Sequence, residues 1–208
     1  MSAKNFDYLN EPLRSYINSL SAETPCPGGG SAAACVAALS CALIGMVIRY
    51  TCGREKYQLY EEQLTRIRIE NDEILQKLSE YIEQDSSLYE HIRKYTKENL
   101  SLAEKYLKKS VQMHLDICRI TLRLTGFAEF LFCNGNKNLL SDTAISAEFA
   151  LSACKAAKIN ILINLMSIMD KEFCHDILSE IESMEKDIEN KSQRVYIESV
   201  KRLRTKSK

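Results

Sequence analysis

Proline is almost absent from this chain: three residues, at positions 12, 25 and 27, and none in the remaining 181. From residue 28 onward nothing forces a helix to end for want of an N–H or through a ring clash. A surplus of either charge is missing too, since 28 Lys plus Arg balance 28 Asp plus Glu. A broad nucleic-acid surface, which shows as a basic excess, is therefore not expected. The basic stretch 201–208 reads as a solvated terminus. No apolar stretch of the signal-peptide kind occupies residues 1–10. The eight cysteines (26, 35, 41, 52, 118, 133, 154 and 174) contain no C-x-x-C pair. With His91, His114 and His175 forming no ligand pattern beside them, a zinc site is not expected. Cysteines scattered among Ala, Leu and Ile behave as small buried groups of a reducing compartment, so a cytoplasmic location is expected. Sustained period-two alternation is lacking as well, and no strand is predicted.

What remains is helical periodicity. A short amphipathic helix is predicted over 6–20, with Leu9, Leu13, Tyr16, Ile17 and Leu20 as its apolar stripe. A loop, Thr24-Pro25-Cys26-Pro27-Gly28-Gly29-Gly30-Ser31, leads into an Ala-rich helix to about residue 51. Its uncharged run 32–48 only just reaches the roughly 17 residues that could span a bilayer. Being Ala-rich and without a second such run, it reads as a buried helix. Ala33, Ala37, Cys41 and Gly45 make an i, i+4 ridge of small side chains, a seat for a closely packed helix of this chain or of another copy. Further helices are predicted over 57–95, 100–132, 141–169 and 171–204. Asn134-Gly135-Asn136 forms a break in which Asn and Gly tolerate left-handed backbone. The expected fold is all-α: one domain, 1–208, a bundle of about five to seven helices with long antiparallel members.

Five features are candidates for chemistry. Three glycines opening into a helix leave backbone N–H groups for an anion, or simply make a tight entry turn capped by Ser31 or a preceding glycine. No Lys-Ser or Lys-Thr follows, so the turn is not a P-loop. Asp85 lies within the apolar face formed by Ile74, Leu78, Ile82, Leu88, Tyr89 and Ile92, seven residues from Leu78 and seven from Ile92. A carboxylate there must be paired, neutralised or turned into a cleft. Asn160 and Asn164, one turn apart, make with Ala153, Ala157 and Ser167 a small polar stripe, suited to interhelical hydrogen bonds or to a pocket wall. Asp142 opens a helix, where capping explains it. Lys56 and Arg54 read as surface charges.

The sequence Pro25-x-Pro27-Gly28-Gly29-Gly30-Ser31-x-Ala33-Ala34, followed by Thr51-x-Gly53-Arg54-x-Lys56-Tyr57, Asn134-Gly135-Asn136, Leu140-Ser141-Asp142 and Asn160-Ile161-Leu162-Ile163-Asn164-Leu165, resembles the formiminotetrahydrofolate cyclodeaminase / methenyltetrahydrofolate cyclohydrolase family over nearly the whole chain. The resemblance implies a folate one-carbon enzyme. One activity would convert 5-formiminotetrahydrofolate to 5,10-methenyltetrahydrofolate with release of ammonia. The other would hydrolyse the methenyl compound to 10-formyltetrahydrofolate. A non-catalytic folate-binding helical dimer is the reading from a different class. The resemblance further implies Asp85, in Glu83-Gln84-Asp85, as the catalytic acid/base. It implies a folate-sized hollow at the glycine turn, with Gly28, Gly29, Gly30, Ser31, Lys56, Asp142, Asn160 and Asn164 contacting substrate. No metal or cofactor beyond the folate substrate is implied, and a homodimer is. His114 and Lys158 depart from the family pattern, which usually has Pro and an aromatic there, and Ala153 and Ala156 stand where animal members tend to have glycine.

Overall fold

With no proline beyond residue 27, long helices meet no obstacle, and the computed structural model, which describes residues 7–206, is built from them. Helix α1 is Leu13–Ser21, α2 Gly29–Arg49, α3 Glu61–Glu98, α4 Leu100–Asn134, α5 Leu140–Leu165 and α6 Lys171–Lys206. Short 3-10 turns at Glu55–Tyr60 and Lys137–Leu139 precede α3 and α5. Asn99 alone separates α3 from α4, and its Oδ1 accepts from Leu102 N–H at 3.0 Å to cap the second helix. Asp170 caps α6 in the same way, through Phe173 N–H at 3.1 Å.

Helices α2, α3, α4 and α5 each pack on the next and α5 closes on α2; α6 lies over α4 and α5. The short connections make successive members of the ring antiparallel. Ser31 of α2 meets Asp85 of α3, whereas Cys41 meets Asn71. Ser40 of α2 bonds the carbonyl of Ser146, near the start of α5. One end of the bundle therefore gathers the start of α2, the second half of α3, the first half of α4 and the end of α5. That end holds the candidate site.

Helix α2 is apolar and long enough to cross a bilayer, yet it is a core helix here, with Ala34, Ala37, Cys41, Ile44, Val47 and Ile48 fully buried. Its small-residue ridge is used within the chain: a side chain on Gly45 would come within 2.9 Å of Asn71 Nδ2, and Cys41 Sγ lies 3.2 Å from Asn71 O. The ridge is thus not free to seat a second subunit. Burial pushes the Cys41 thiol up to about 12, as befits a packing residue.

Three local expectations are corrected. The first helix begins at Leu13, not near residue 6, and Phe6 lies outside the described residues. Of its expected inward stripe only Tyr16 is buried; Leu9, Leu13, Ile17 and Leu20 are exposed, because α1 is anchored by Tyr16 alone, against Ser31 and Tyr8. On α3, Ile74, Leu78, Ile82 and Leu88 face inward as expected, but Tyr89 is exposed. Gly135 is extended, with φ −91°, not left-handed; a side chain there would lie 2.5 Å from Leu131 O, so close approach demands the glycine. The left-handed glycine is Gly53, φ +70°, which turns the chain out of α2.

Candidate active site

Helix α2 opens at Gly28, whose extended backbone (φ −130°, ψ −161°) serves as the cap without a side chain. A helix start leaves its first N–H groups without intrahelical acceptors. One of these donors is satisfied from another helix: Ser31 N–H donates to Asp85 Oδ2 at 2.9 Å. The carboxylate thus has a structural task, a bond to a helix end. That bond uses one oxygen only.

The other oxygen faces a histidine. Asp85 Oδ1 lies 3.5 Å from His114 Nε2, with the carboxylate side chain 15% exposed and the imidazole 1% exposed. The tautomer of His114 follows from its other nitrogen, which lies 2.8 Å from Ser110 O. A carbonyl oxygen only accepts, so Nδ1 carries the hydrogen and Nε2 of the neutral ring is a lone pair turned to Asp85. Ser110 Oγ in turn accepts from Asn164 Nδ2 at 3.0 Å. On the opposite side, Tyr16 and Ser31 hydroxyls are 3.1 Å apart.

Gly30 is what permits this contact. A side-chain carbon on Gly30 would fall 2.1 Å from Asp85 Oδ1 and 2.5 Å from His114 Nε2, distances no packed carbon adopts. The glycine is required here by close approach rather than by backbone angle. Gly29 opens toward Asn160, whose amide atoms would lie 3.8 Å from a side chain at that position. Asn160 Nδ2 donates to Ala156 O of its own helix at 3.0 Å, a bond in which its oxygen takes no part.

Burial dominates the electrostatics. It pushes the Asp85 carboxyl above the usual carboxylate range, opposed by His114 and by the Ser31 N–H. It pushes the His114 imidazolium below the usual histidine value, opposed by Asp85 and by the Ser110 carbonyl. The two groups are driven toward each other on the pH scale. A carboxyl held above its usual range, beside an imidazole held below its own, is equipped to give and take protons.

The structure brings Gly28, Gly29, Gly30, Ser31, Asp85, Asn160 and Asn164 to one end of the bundle. Lys56 and Asp142 are at the other. Lys56 follows the C-terminus of α2, exposed and 5.6 Å above the Tyr57 ring, and Asp142 sits in the first turn of α5, bonded to Ser141. The 21 residues of α2 separate the ends by about 30 Å. Within one chain these two residues do not reach Asp85. Nor do two open grooves in the surface coincide with the expected hollow. One, of about 1010 Å³, runs between α3 and α4 along Lys77, Tyr81, Lys105, Lys108 and Arg119; the other, of about 680 Å³, lies by Ile67 and Phe127. The cations of the larger groove are largely matched, Lys77 by Asp116, Lys108 by Asp170 and Arg119 by Glu180. Among the described residues no group of three His, Cys, Asp or Glu is placed to hold a metal ion.

Comparison with known proteins matches this arrangement to one family. The family model described as formiminotransferase-cyclodeaminase matches residues 12–183. The chain belongs to this family. It is accordingly a folate one-carbon enzyme of the cyclodeaminase and cyclohydrolase kind. A methenyltetrahydrofolate cyclohydrolase of Methylorubrum extorquens is 27% identical over 202 residues, covering 92% of this chain and 97% of the relative. The formimidoyltransferase-cyclodeaminase of Sus scrofa is 25% identical over 85% of this chain, which spans only 34% of that longer protein. The crystal structure of a formiminotetrahydrofolate cyclodeaminase from Thermotoga maritima superposes with a TM-score of 0.87 at 31% identity, over 91% of this chain and 96% of that one. Against this cyclodeaminase-family background His114 is the residue that sequence reasoning missed. It was read as a departure, although its neighbours Val111, Leu115 and Cys118 place it on a buried helix face. The same reasoning that singled out Asp85 applies to it. Lys158, the other departure, pairs with Glu185 of α6 at 2.6 Å and has a structural explanation.

Proposed function

We propose that this chain is a formimidoyltetrahydrofolate cyclodeaminase in which Asp85 is the general acid/base. The second folate nitrogen attacks the formimino carbon, forming a carbon–nitrogen bond and a tetrahedral centre. Asp85 gives its proton to the formimino nitrogen and takes the one released by the attacking nitrogen. It then passes that proton to the amino group, whose bond to carbon breaks as ammonia leaves, yielding the methenyl cation. One proton is consumed overall, and water returns it to Asp85. The single observation that supports this reading is the Asp85 carboxyl, buried at the glycine turn with Oδ2 bonded to Ser31 N–H and Oδ1 facing His114 Nε2 at 3.5 Å. Asn160 and Asn164 orient the pterin, and the turn Gly28, Gly29, Gly30, Ser31 takes a polar part of the folate on its open side, at Gly28 and Gly29. Gly30 and Ser31 back the turn from within, since Ser31 is fully buried with its N–H on Asp85 and its hydroxyl 3.1 Å from that of Tyr16. The proton transfers of this scheme call for no metal or redox cofactor.

Replacing Asp85 by Asn tests the assignment, with turnover of each folate followed through the absorbance of the methenyl group. A loss of about 10²–10⁴-fold is expected. Rates close to wild type with both substrates would end it. The second reading, cyclohydrolysis of the methenyl compound, draws on the end-to-end match with the Methylorubrum extorquens protein. It is favoured if purified protein consumes the methenyl chromophore and fails to generate it from the formimino substrate.

The partner in this reading is a second copy of the chain. Helix α5 carries Ile145, Phe149, Ser152, Ala156, Ile159 and Ile163 at alternating spacings of four and three, continued by its C-cap Met166, and Ile159 is 67% and Met166 81% exposed. A seam with that period fits a like helix. A two-fold axis across it would set the Asn160 end of one subunit against the Asp142 end of the other. The partner subunit's Lys56 and the partner subunit's Asp142 would then approach the glycine turn and help to wall a hollow beside it. Sedimentation velocity of Ile159→Lys should show a shift from dimer to monomer; a wild-type monomer would refute the pairing. The eight free cysteines accord with a reducing, cytoplasmic setting.

A further inference from the structure

The proposed function uses Asp85 and leaves unexplained why a histidine that is 1% exposed, with no hydrogen-bond partner for its Nε2 among the described residues, sits against it. Burying an imidazole nitrogen without a partner is costly. A protonated Asp85 removes that cost, because an Oδ1–H would point at the Nε2 lone pair across the 3.5 Å gap. We infer that Asp85 and His114 hold one proton between them, with His114 the positioning residue that fixes Oδ1 and receives its proton. This rests on the reading of Asp85 as the acid/base and adds the residue that controls it.

The proton balance is simple. When the proton moves, the Oδ1–H bond breaks and an Nε2–H bond forms; a neutral acid and neutral ring become a carboxylate and an imidazolium. The net charge of the pair is zero on both sides. A dry site therefore tolerates the transfer far better than the loss of a proton to water. The imidazolium is held by Nδ1–H on Ser110 O, and the carboxylate by Ser31 N–H on Oδ2. Asn164 steadies Ser110 from α5. Two forms, one an acid and the other a base, thus share the same proton count, which suits a reaction that needs each in turn. Gly30 supplies the absence of a side chain that lets the two groups meet.

Other titratable groups facing the pair stay neutral. Tyr8 and Tyr16 on the N-terminal side and Cys26 in the loop are each raised by burial above their usual values. From α2 the pair is met by Gly30 and Ser31 and from α4 by Ser110, while α5 reaches it only through the Asn164 amide on Ser110; none of these is charged. The pH behaviour of the site therefore belongs to the dyad, which titrates in two steps shared by both residues.

The test combines His114→Gln, which keeps polarity and reach but cannot take up the proton, with nitrogen NMR of the labelled imidazole in wild-type protein. In wild type, Nδ1 should carry its proton throughout, and Nε2 should titrate in step with the high-pH limb of kcat. In His114→Gln, kcat should fall about tenfold. The high-pH limb should move down by about one unit: at that limb the ring is neutral, so it accepts the carboxyl proton instead of lowering the carboxyl as the imidazolium does, and a carboxyl without that acceptor releases its proton sooner. An unmoved limb in a folded variant overturns the inference even if kcat falls, because a packing defect alone does not shift a limb. Should the variant fail to fold, the wild-type spectrum decides, and a ring protonated at Nε2 and bare at Nδ1 overturns it. An active Asp85→Asn enzyme would refute the acid/base reading, whereas an inactive one with an unmoved His114→Gln profile would refute only the dyad.

Discussion

The two ends of the bundle are built from the same four helices and behave as opposites. At the Gly30 end a carboxylate and an imidazole are enclosed together, and burial moves both from their ordinary pKa values. At the Gly53 end the charged groups Lys56 and Asp142 stay near water. There Asn136 Nδ2 donates to Tyr50 O at 3.2 Å and Lys137 Nζ to Phe132 O at 2.8 Å, bonds that close helix ends. The lesson is that the charge of a residue type says little until its enclosure is known. The cyclodeaminase-family motifs are shared between both ends, but a carboxyl and an imidazole are enclosed against each other only at the Gly30 end.

The sharpest way to break this contrast is to spoil the enclosed contact without touching either acid or base. Gly30→Ala puts a methyl group where Asp85 Oδ1 and His114 Nε2 meet, and displacing the carboxyl by about 1 Å is expected to cost about a hundredfold in kcat. The matching change at the other end, Gly53→Ala, strains a left-handed turn and should lower Tm while leaving kcat within about twofold. Steady-state kinetics beside thermal melts of both variants checks the pair of outcomes.

A smaller effect concerns stability against pH. The native Asp85 pKa is raised, so the stability it contributes is complete below its unfolded value and is lost as pH rises through the native one. The native His114 pKa is lowered, so its contribution is present above the unfolded value and is lost as pH falls through the native one. Asp85→Asn removes the first loss. Its Tm should equal or exceed that of wild type on the alkaline side of the Asp85 transition, as expected where an active site retains a costly group for function. A Tm well below wild type there would mean that the carboxylate serves chiefly as a cap for α2.

The least effect is expected at the open end. Lys56→Ala and Asp142→Ala should each change stability by within about 0.5 kcal/mol, by denaturant melts. Their KM for folate should rise in the dimer, and a KM unchanged in both would remove them from the site.

Much of the bundle could be read from the chain before any coordinates. Helix periodicity and the missing prolines placed α2 to α6 to within a few residues, apart from the 3-10 turn that precedes α3 and an α5 that stops at Leu165. The position of Asp85 on the inward face of α3 was equally legible, because Leu78 and Ile92 bracket it by two turns each way. What could not be read was pairing between helices. Nothing local to residue 114 says that its Nε2 meets residue 85, and nothing local to Gly30 says that its missing side chain is the room they share. The α1 stripe misled for a related reason: periodicity shows that a helix has an apolar face, not that the chain has anything to cover it.

Carbon-13 NMR titration of the Asp85 carboxyl tests the central claim most directly. The account predicts a midpoint clearly above that of an ordinary aspartate, with a second inflection coinciding with the titration of His114. A carboxyl that ionises at or below the ordinary aspartate value, independently of His114, would contradict it.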